Sequence, residues 1–149
     1  MAFNKLETEL DREALKSQAA ELHARGYNCA QSVLCALAPA LGIDEDAAFI
    51  LAEGFGAGMG GMTETCGAIS GAVMALGQAT STGRSNPASK GATYKLSREL
   101  CAGFMDKNGT TVCRELKGVG SPEGPRRSCP GCIDDAIDLT VDILKDNLR

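Results

Sequence analysis

Apolar residues recur at spacings of three and four along most of the chain, and no stretch alternates apolar and polar as a half-buried strand would. Over 6–25, Leu6, Leu10, Ala14, Leu15, Ala19 and Leu22 form one stripe between charged positions, and Gly26 stops the helix. Asn28 reads as the cap of a second helix over 29–41, with Val33, Leu34, Cys35 and Leu37 on its apolar face and Gly42 at its end. Asp44 caps a short third helix over 45–53 whose apolar side is Ala48, Ile50 and Leu51. A glycine-dense loop leads into a fourth, with Thr63 as cap, Glu64 and Cys66 in its first turn, and Gly77 as its close. Asn86 and Pro87 open a fifth, running to about 106 on the stripe Leu96, Leu100 and Phe104. A turn at Lys107, Asn108 and Gly109 follows, and Thr110 or Thr111 caps a short helical turn holding Cys113, Arg114, Leu116 and Lys117. After Cys129 and Cys132 comes the last helix, with Ile133, Ile137, Thr140, Val141, Leu144 and Leu148 on one face. With neither repeat nor linker, the pattern predicts an all-α single-domain bundle over 1–149, of about five or six helices around a central small-residue helix.

That central helix belongs to the stretch 54–77, GFGAGMGGMTETCGAISGAVMALG. A glycine inside a helix costs about 1 kcal/mol against alanine. Gly67 and Gly71, beside Ala68, Ala72 and Ala75, therefore point to a smooth face that brings other backbone close. Gly56, Gly58 and Gly61 match the dinucleotide spacing G-x-G-x-x-G, but that fingerprint needs a preceding strand and a βαβ unit, which the pattern lacks.

A net charge of −4 argues against a nucleic-acid partner. The N-terminal residues carry no apolar signal-peptide core, and the longest apolar run, about 68–76, is too short for membrane insertion. A cytoplasmic protein is expected. There, seven cysteines, an odd and high count, mean redox or metal chemistry more often than structural disulfides. The sequence assigns no cofactor and leaves the oligomeric state open.

Cysteine placement sharpens this. Cys29, Cys66, Cys113 and Cys132 fall in the first turn of predicted helices, where free N–H groups and the helix dipole favour a thiolate. Cys35 and Cys101 lie mid-helix on apolar faces, as core residues would. A helix end contributes about 0.3–1 kcal/mol, up to ~2 when partly buried, so neighbours decide which thiol ionises. Arg114 and Lys117 favour Cys113, and Arg126 and Arg127 favour Cys129; Glu64 opposes Cys66, and Asp134 and Asp135 oppose Cys132. Charges alone make Cys129 or Cys113 the nucleophile. The only histidine, His23, near the end of the first helix, reads as a solvated or locally satisfied imidazole, with a ligand or base role as the sharper alternative.

Converging thiols raise one another's pKa, so they must pair into reversible disulfides or be held by a soft metal or an iron–sulfur cluster. For metal there is one C-x-x-C, at 129–132, and no second to complete a zinc pattern.

YNCAQSVL at 27–34, GFGAGMG and TCGAISGAVMALG within 54–77, VCRELKG at 112–118 and CIDDAIDLTVDIL from Cys132 resemble the C_GCAxxG_C_C family of redox-active proteins. The resemblance implies a small bacterial-type redox-active protein, often associated with transporter loci. Its four cysteines fall on Cys29, Cys66, Cys113 and Cys132, with Cys129 able to exchange roles with Cys132. The expected activity is thiol–disulfide exchange or electron transfer, with a redox protein or transporter component as partner and Cys66 as a buried resolving thiol. A metal or iron–sulfur module using the same cysteines, and a helical partner-binding subunit whose thiols only rigidify it, are the alternatives. On either chemical reading, the glycines of 54–77 let other helix starts approach Cys66, so that the smooth helix floors a multi-thiol site.

Overall fold

Helix-forming sequence and side-chain caps together account for the architecture seen in a computed structural model of the chain, which describes residues 6–147; Leu148 lies outside them. Seven α-helices follow in order: α1 (Arg12–Ala24), α2 (Cys29–Leu41), α3 (Glu45–Ala52), α4 (Gly67–Thr80), α5 (Lys90–Asn108), α6 (Cys113–Lys117) and α7 (Cys129–Asn147). Among the described residues there is no strand, only an isolated antiparallel bridge between Thr65 and Val112. None of these helices is long and apolar enough to cross a membrane.

Caps explain where the helices begin, including where they depart from apolar periodicity. α1 starts at Arg12 rather than Leu6 because the Asp11 carboxylate accepts the Ala14 N–H at 3.1 Å. The residues before it pack on the end of α2, with Leu10 buried and the Glu7 N–H donating to the Ala40 carbonyl at 2.7 Å. α2 obeys its signals: Asn28 and Gln31 form a reciprocal capping box, and Gly42 closes it at φ 67°. α4 is capped at Cys66, not Thr63; the Cys66 carbonyl accepts from Ile69 and Ser70 at 3.0 and 3.2 Å. It runs past Gly77 to Thr80, whose buried hydroxyl donates to the Leu76 carbonyl at 2.8 Å.

α5 starts at Lys90, four residues beyond the predicted cap at Asn86, because 82–89 close a turn on themselves. Thr82 donates its hydroxyl to the Asn86 carbonyl and its N–H to the Ser89 hydroxyl, at 2.6 and 2.9 Å. α6 is capped at Val112, whose N–H donates to the Thr110 hydroxyl at 3.1 Å. α7 includes the C-x-x-C segment as its own first turn, where Pro130 is tolerated because no intrahelical N–H is required.

One predicted face is wrong. Ile50 and Leu51 are each 70 % exposed, while Ala48 and Ala52 are buried. Residues 48, 49 and 52 share a face at helical spacing, and that face is fixed by Phe49. Its ring meets Tyr27 edge-on at 4.9 Å, and its carbonyl accepts from the Gln31 side chain at 3.1 Å. The short helix then tightens into a 3₁₀ turn over Glu53–Phe55.

α2 is the most enclosed helix: of its residues only Cys29 and Pro39 are not buried. It packs against α1, α3, α4 and α7, most extensively against α4. The α2–α4 contact rests on backbone proximity. A Cβ on Gly71 would stand 2.6 Å from the Ala30 carbonyl oxygen, and one on Gly67 would stand 3.3 Å from the Ala30 nitrogen and 2.9 Å from the Phe55 oxygen of the 3₁₀ turn. α1 is joined to α7 by Arg12 and Lys16, each 2.9 Å from Asp138, at the surface where such pairs stabilise little.

Gly71→Val should therefore destabilise the fold by at least about 1–3 kcal/mol, the cost of overpacking a closed contact. Gly77→Ala, in the same helix with nothing within 4 Å of its added Cβ, should stabilise by ~0.5–1 kcal/mol. Urea denaturation of the two variants checks both signs.

Candidate functional site

Four helix starts converge on one cavity. Cys29 opens α2, Cys66 caps α4, Cys113 opens α6, and Cys129 and Cys132 occupy the first turn of α7. All five line a cavity of about 180 Å³. The two cysteines read as core, Cys35 and Cys101, do not line it; the Cys35 thiol donates to the Glu45 carbonyl at 3.9 Å.

The backbone holds the thiols in place. On either side of the Thr65–Val112 bridge, the Cys66 N–H donates to the Thr111 carbonyl at 2.8 Å. The Cys113 N–H donates to the Glu64 carbonyl at 2.9 Å. The preceding loop lies against them in an unusual conformation, with positive φ at Ala57, Gly58, Met59, Gly60 and Met62. Gly58 is required there: its φ is 54°, and a Cβ would stand 2.5 Å from the Cys113 Cβ.

The thiols are coupled electrostatically in two pairs, Cys66 with Cys132 and Cys29 with Cys129. Cys66 and Cys132 are 5 % and 3 % exposed, whereas Cys29 and Cys129 are half-buried. Cys113 is buried, and Cys66 and Cys129 act on it electrostatically.

Hydrogen bonding and burial divide the thiols into different ionisation states. The S–H of Cys132, with the Ala68 and Ile69 N–H groups and the Lys117 cation, outweighs burial and lowers the Cys66 thiol to about 7. Cys132, as the donor to that sulfur and being buried, is pushed strongly up. Burial, then the neighbouring sulfurs Cys129 and Cys66, push Cys29 strongly up as well. Burial raises Cys113 despite the opposing Lys117, and it raises Cys35 and Cys101.

These shifts favour a thiolate at Cys66 and disfavour one at Cys113, which the charges along the chain favoured. Arg127, expected to help Cys129, instead forks onto the buried Asp135 at 3.0 and 3.1 Å. Asn108 also donates to Asp135, at 3.1 Å. Asp135 is thus matched before it can act on Cys132. Arg126 does not line the cavity, Arg114 is exposed away from it, and Glu64 faces solvent. His23, at the end of α1, also lines the cavity. The available signal was the tight Gly26–Tyr27–Asn28 link, which sets the end of α1 beside the start of α2.

As a metal site the donor set fits poorly. Among the described residues no group of three or more His, Cys, Asp or Glu is disposed to hold a metal ion.

No curated protein and no solved structure matches the chain. The family described as "Putative redox-active protein (C_GCAxxG_C_C)" matches over residues 27–143, a span that contains the five cavity cysteines and both elements that carry the glycine contacts. The chain belongs to the C_GCAxxG_C_C family.

Proposed function

We propose that the protein is a thiol–disulfide redox protein of a reducing, cytoplasmic compartment, in which Cys66 is the nucleophile and Cys132 the resolving thiol. The observation that carries the reading is that Cys66 and Cys132 line one cavity from the starts of α4 and α7, where Cys132 is the largest influence lowering the Cys66 thiol. A thiolate attacks a disulfide through a mixed-disulfide intermediate. Here the Cys66 thiolate attacks one sulfur of a small disulfide, forming a mixed disulfide and expelling the other sulfur as thiolate. Cys132 then attacks the Cys66 sulfur, passing its proton to the second leaving thiolate. Two protein thiols are oxidised to one disulfide and the substrate disulfide is reduced to two thiols. With Cys66 only 5 % exposed, the cavity favours small reactants over a cystine carried on a folded protein surface.

In reduced native protein, iodoacetamide should alkylate Cys66 with a pH midpoint near 7, the thiolate being lost as pH falls. The rate should drop about tenfold per pH unit below the midpoint. Cys132→Ala should move the midpoint up by about 1–2 units, since a hydrogen bond to a charged group contributes ~1.5–3 kcal/mol. Cys35 and Cys101 should react last. An unmoved midpoint in Cys132→Ala would remove the basis for this reading.

Oxidation by one equivalent of bis(2-hydroxyethyl) disulfide, acid-quenched early, should yield a Cys66–Cys132 bond by peptide mapping, lost in Cys66→Ser. Near-stoichiometric zinc, iron or copper in anaerobically purified protein, with its thiols unreactive, would overturn the proposal in favour of the ligand reading.

A further inference from the structure

The second coupled pair is not used by that chemistry. Cys29 and Cys129 line the same cavity from α2 and α7, and both are half-buried where Cys66 and Cys132 are buried. Cys129 also stands three residues before Cys132 on α7, and side chains at that spacing are neighbours on one helix face. The four sulfurs therefore share one cavity, Cys66 and Cys132 buried, Cys129 and Cys29 half-buried.

We propose that Cys29 and Cys129 form a second redox pair that drains the disulfide from Cys66–Cys132 to the surface, with a Cys129–Cys132 disulfide as the transient between them. The inference rests on the proposed function and adds its outlet, where a dithiol reductant of protein size would act.

Each step exchanges one sulfur–sulfur bond for another. Cys129, releasing its proton to solvent at the mouth, attacks the Cys132 sulfur; the Cys132–Cys66 bond breaks and Cys66 leaves as thiolate. Cys29 then attacks the Cys129 sulfur; the Cys129–Cys132 bond breaks and the Cys29 proton passes to Cys132. The outcome is a Cys29–Cys129 disulfide, with Cys66 and Cys132 reduced and the electron count unchanged. An external protein dithiol reduces the outer disulfide by two further exchanges and becomes a disulfide itself.

The direction follows from the same contacts. A disulfide whose reduced form is stabilised is the stronger oxidant, and a thiol of low pKa leaves faster. Cys66 is held as the favoured thiolate, so the inner disulfide oxidises the outer pair. The half-buried positions of Cys29 and Cys129 then place the product where a partner can reach it.

The test is a rapid-quench series on full-length reduced protein, after one equivalent of bis(2-hydroxyethyl) disulfide. Free thiols are trapped by acid and alkylation, and the disulfides are mapped by mass spectrometry. The wild type should show Cys66–Cys132 first and Cys29–Cys129 at completion, and thioredoxin should reduce the latter. Cys29→Ser should lose that product and accumulate Cys129–Cys132, a trapped bond that a merely structural role for Cys29 would not generate. A wild-type disulfide that forms at Cys66–Cys132 and stays there would overturn the relay and leave the proposed function standing. If no Cys66–Cys132 bond forms at any time, both fall.

Discussion

Sulfurs crowded around one small cavity cannot share negative charge, and the rest of the site depends on this constraint. Like charges at contact distance raise one another's pKa, so the ionisation that lowers Cys66 is accompanied by a rise in Cys132 and Cys29. The helix starts do not decide which sulfur carries the charge, because each of the five thiols has one. A helix end contributes at most ~2 kcal/mol, whereas full burial shifts a pKa by up to ~3–5 units, which is two or three times larger in free energy. Cys113, at the first position of α6, shows the outcome when burial acts without an S–H donor: its thiol is pushed up. Cys66 escapes because the hydrogen bond from Cys132, with the Ala68 and Ile69 N–H groups and the Lys117 cation, outweighs burial.

That hydrogen bond depends on backbones standing closer than ordinary side chains allow. The start of α4 lies against the start of α2 through Gly67 and Gly71, and the loop lies against Cys113 through Gly58. A side chain at any of these positions would push a helix start outward, and sulfur contacts tolerate little displacement. The same glycines that weaken helix propensity therefore set the electrostatics of the cavity.

Much of this was legible in the residues. Asn28 before Cys29, the small residues of 67–75 and the split between helix-start and mid-helix cysteines gave both the enclosed helices and the division of thiols that the cavity displays. Local signals failed where a neighbour competed for the same group. Asn86 and Pro87 look like a helix opening, but the turn from Thr82 to Ser89 uses those backbone groups. Arg127 looks like a partner for Cys129, but Asp135, in the turns that follow, claims it. Ile50 and Leu51 look like a core face, yet Phe49 alone orients the short α3. The identity of the ionised thiol was not legible at all, because the deciding donor, Cys132, is brought to Cys66 only by the packing of α7 on α4.

The segment CPGC illustrates how that packing changes a motif's meaning. Read along the chain, Cys129 and Cys132 form a dithiol pair with each other. In the fold each is coupled to a cysteine from a different helix start, Cys129 to Cys29 of α2 and Cys132 to Cys66 at the cap of α4. One turn of α7 thus touches both pairs. Gly131 belongs to this arrangement: a Cβ there would stand 2.5 Å from the Arg127 Nε. Its absence lets the guanidinium fold back onto Asp135 while Arg127 still lines the cavity beside the two cysteines. Two cysteines joined by a single turn are then better placed to pass a disulfide between neighbours than to retain one.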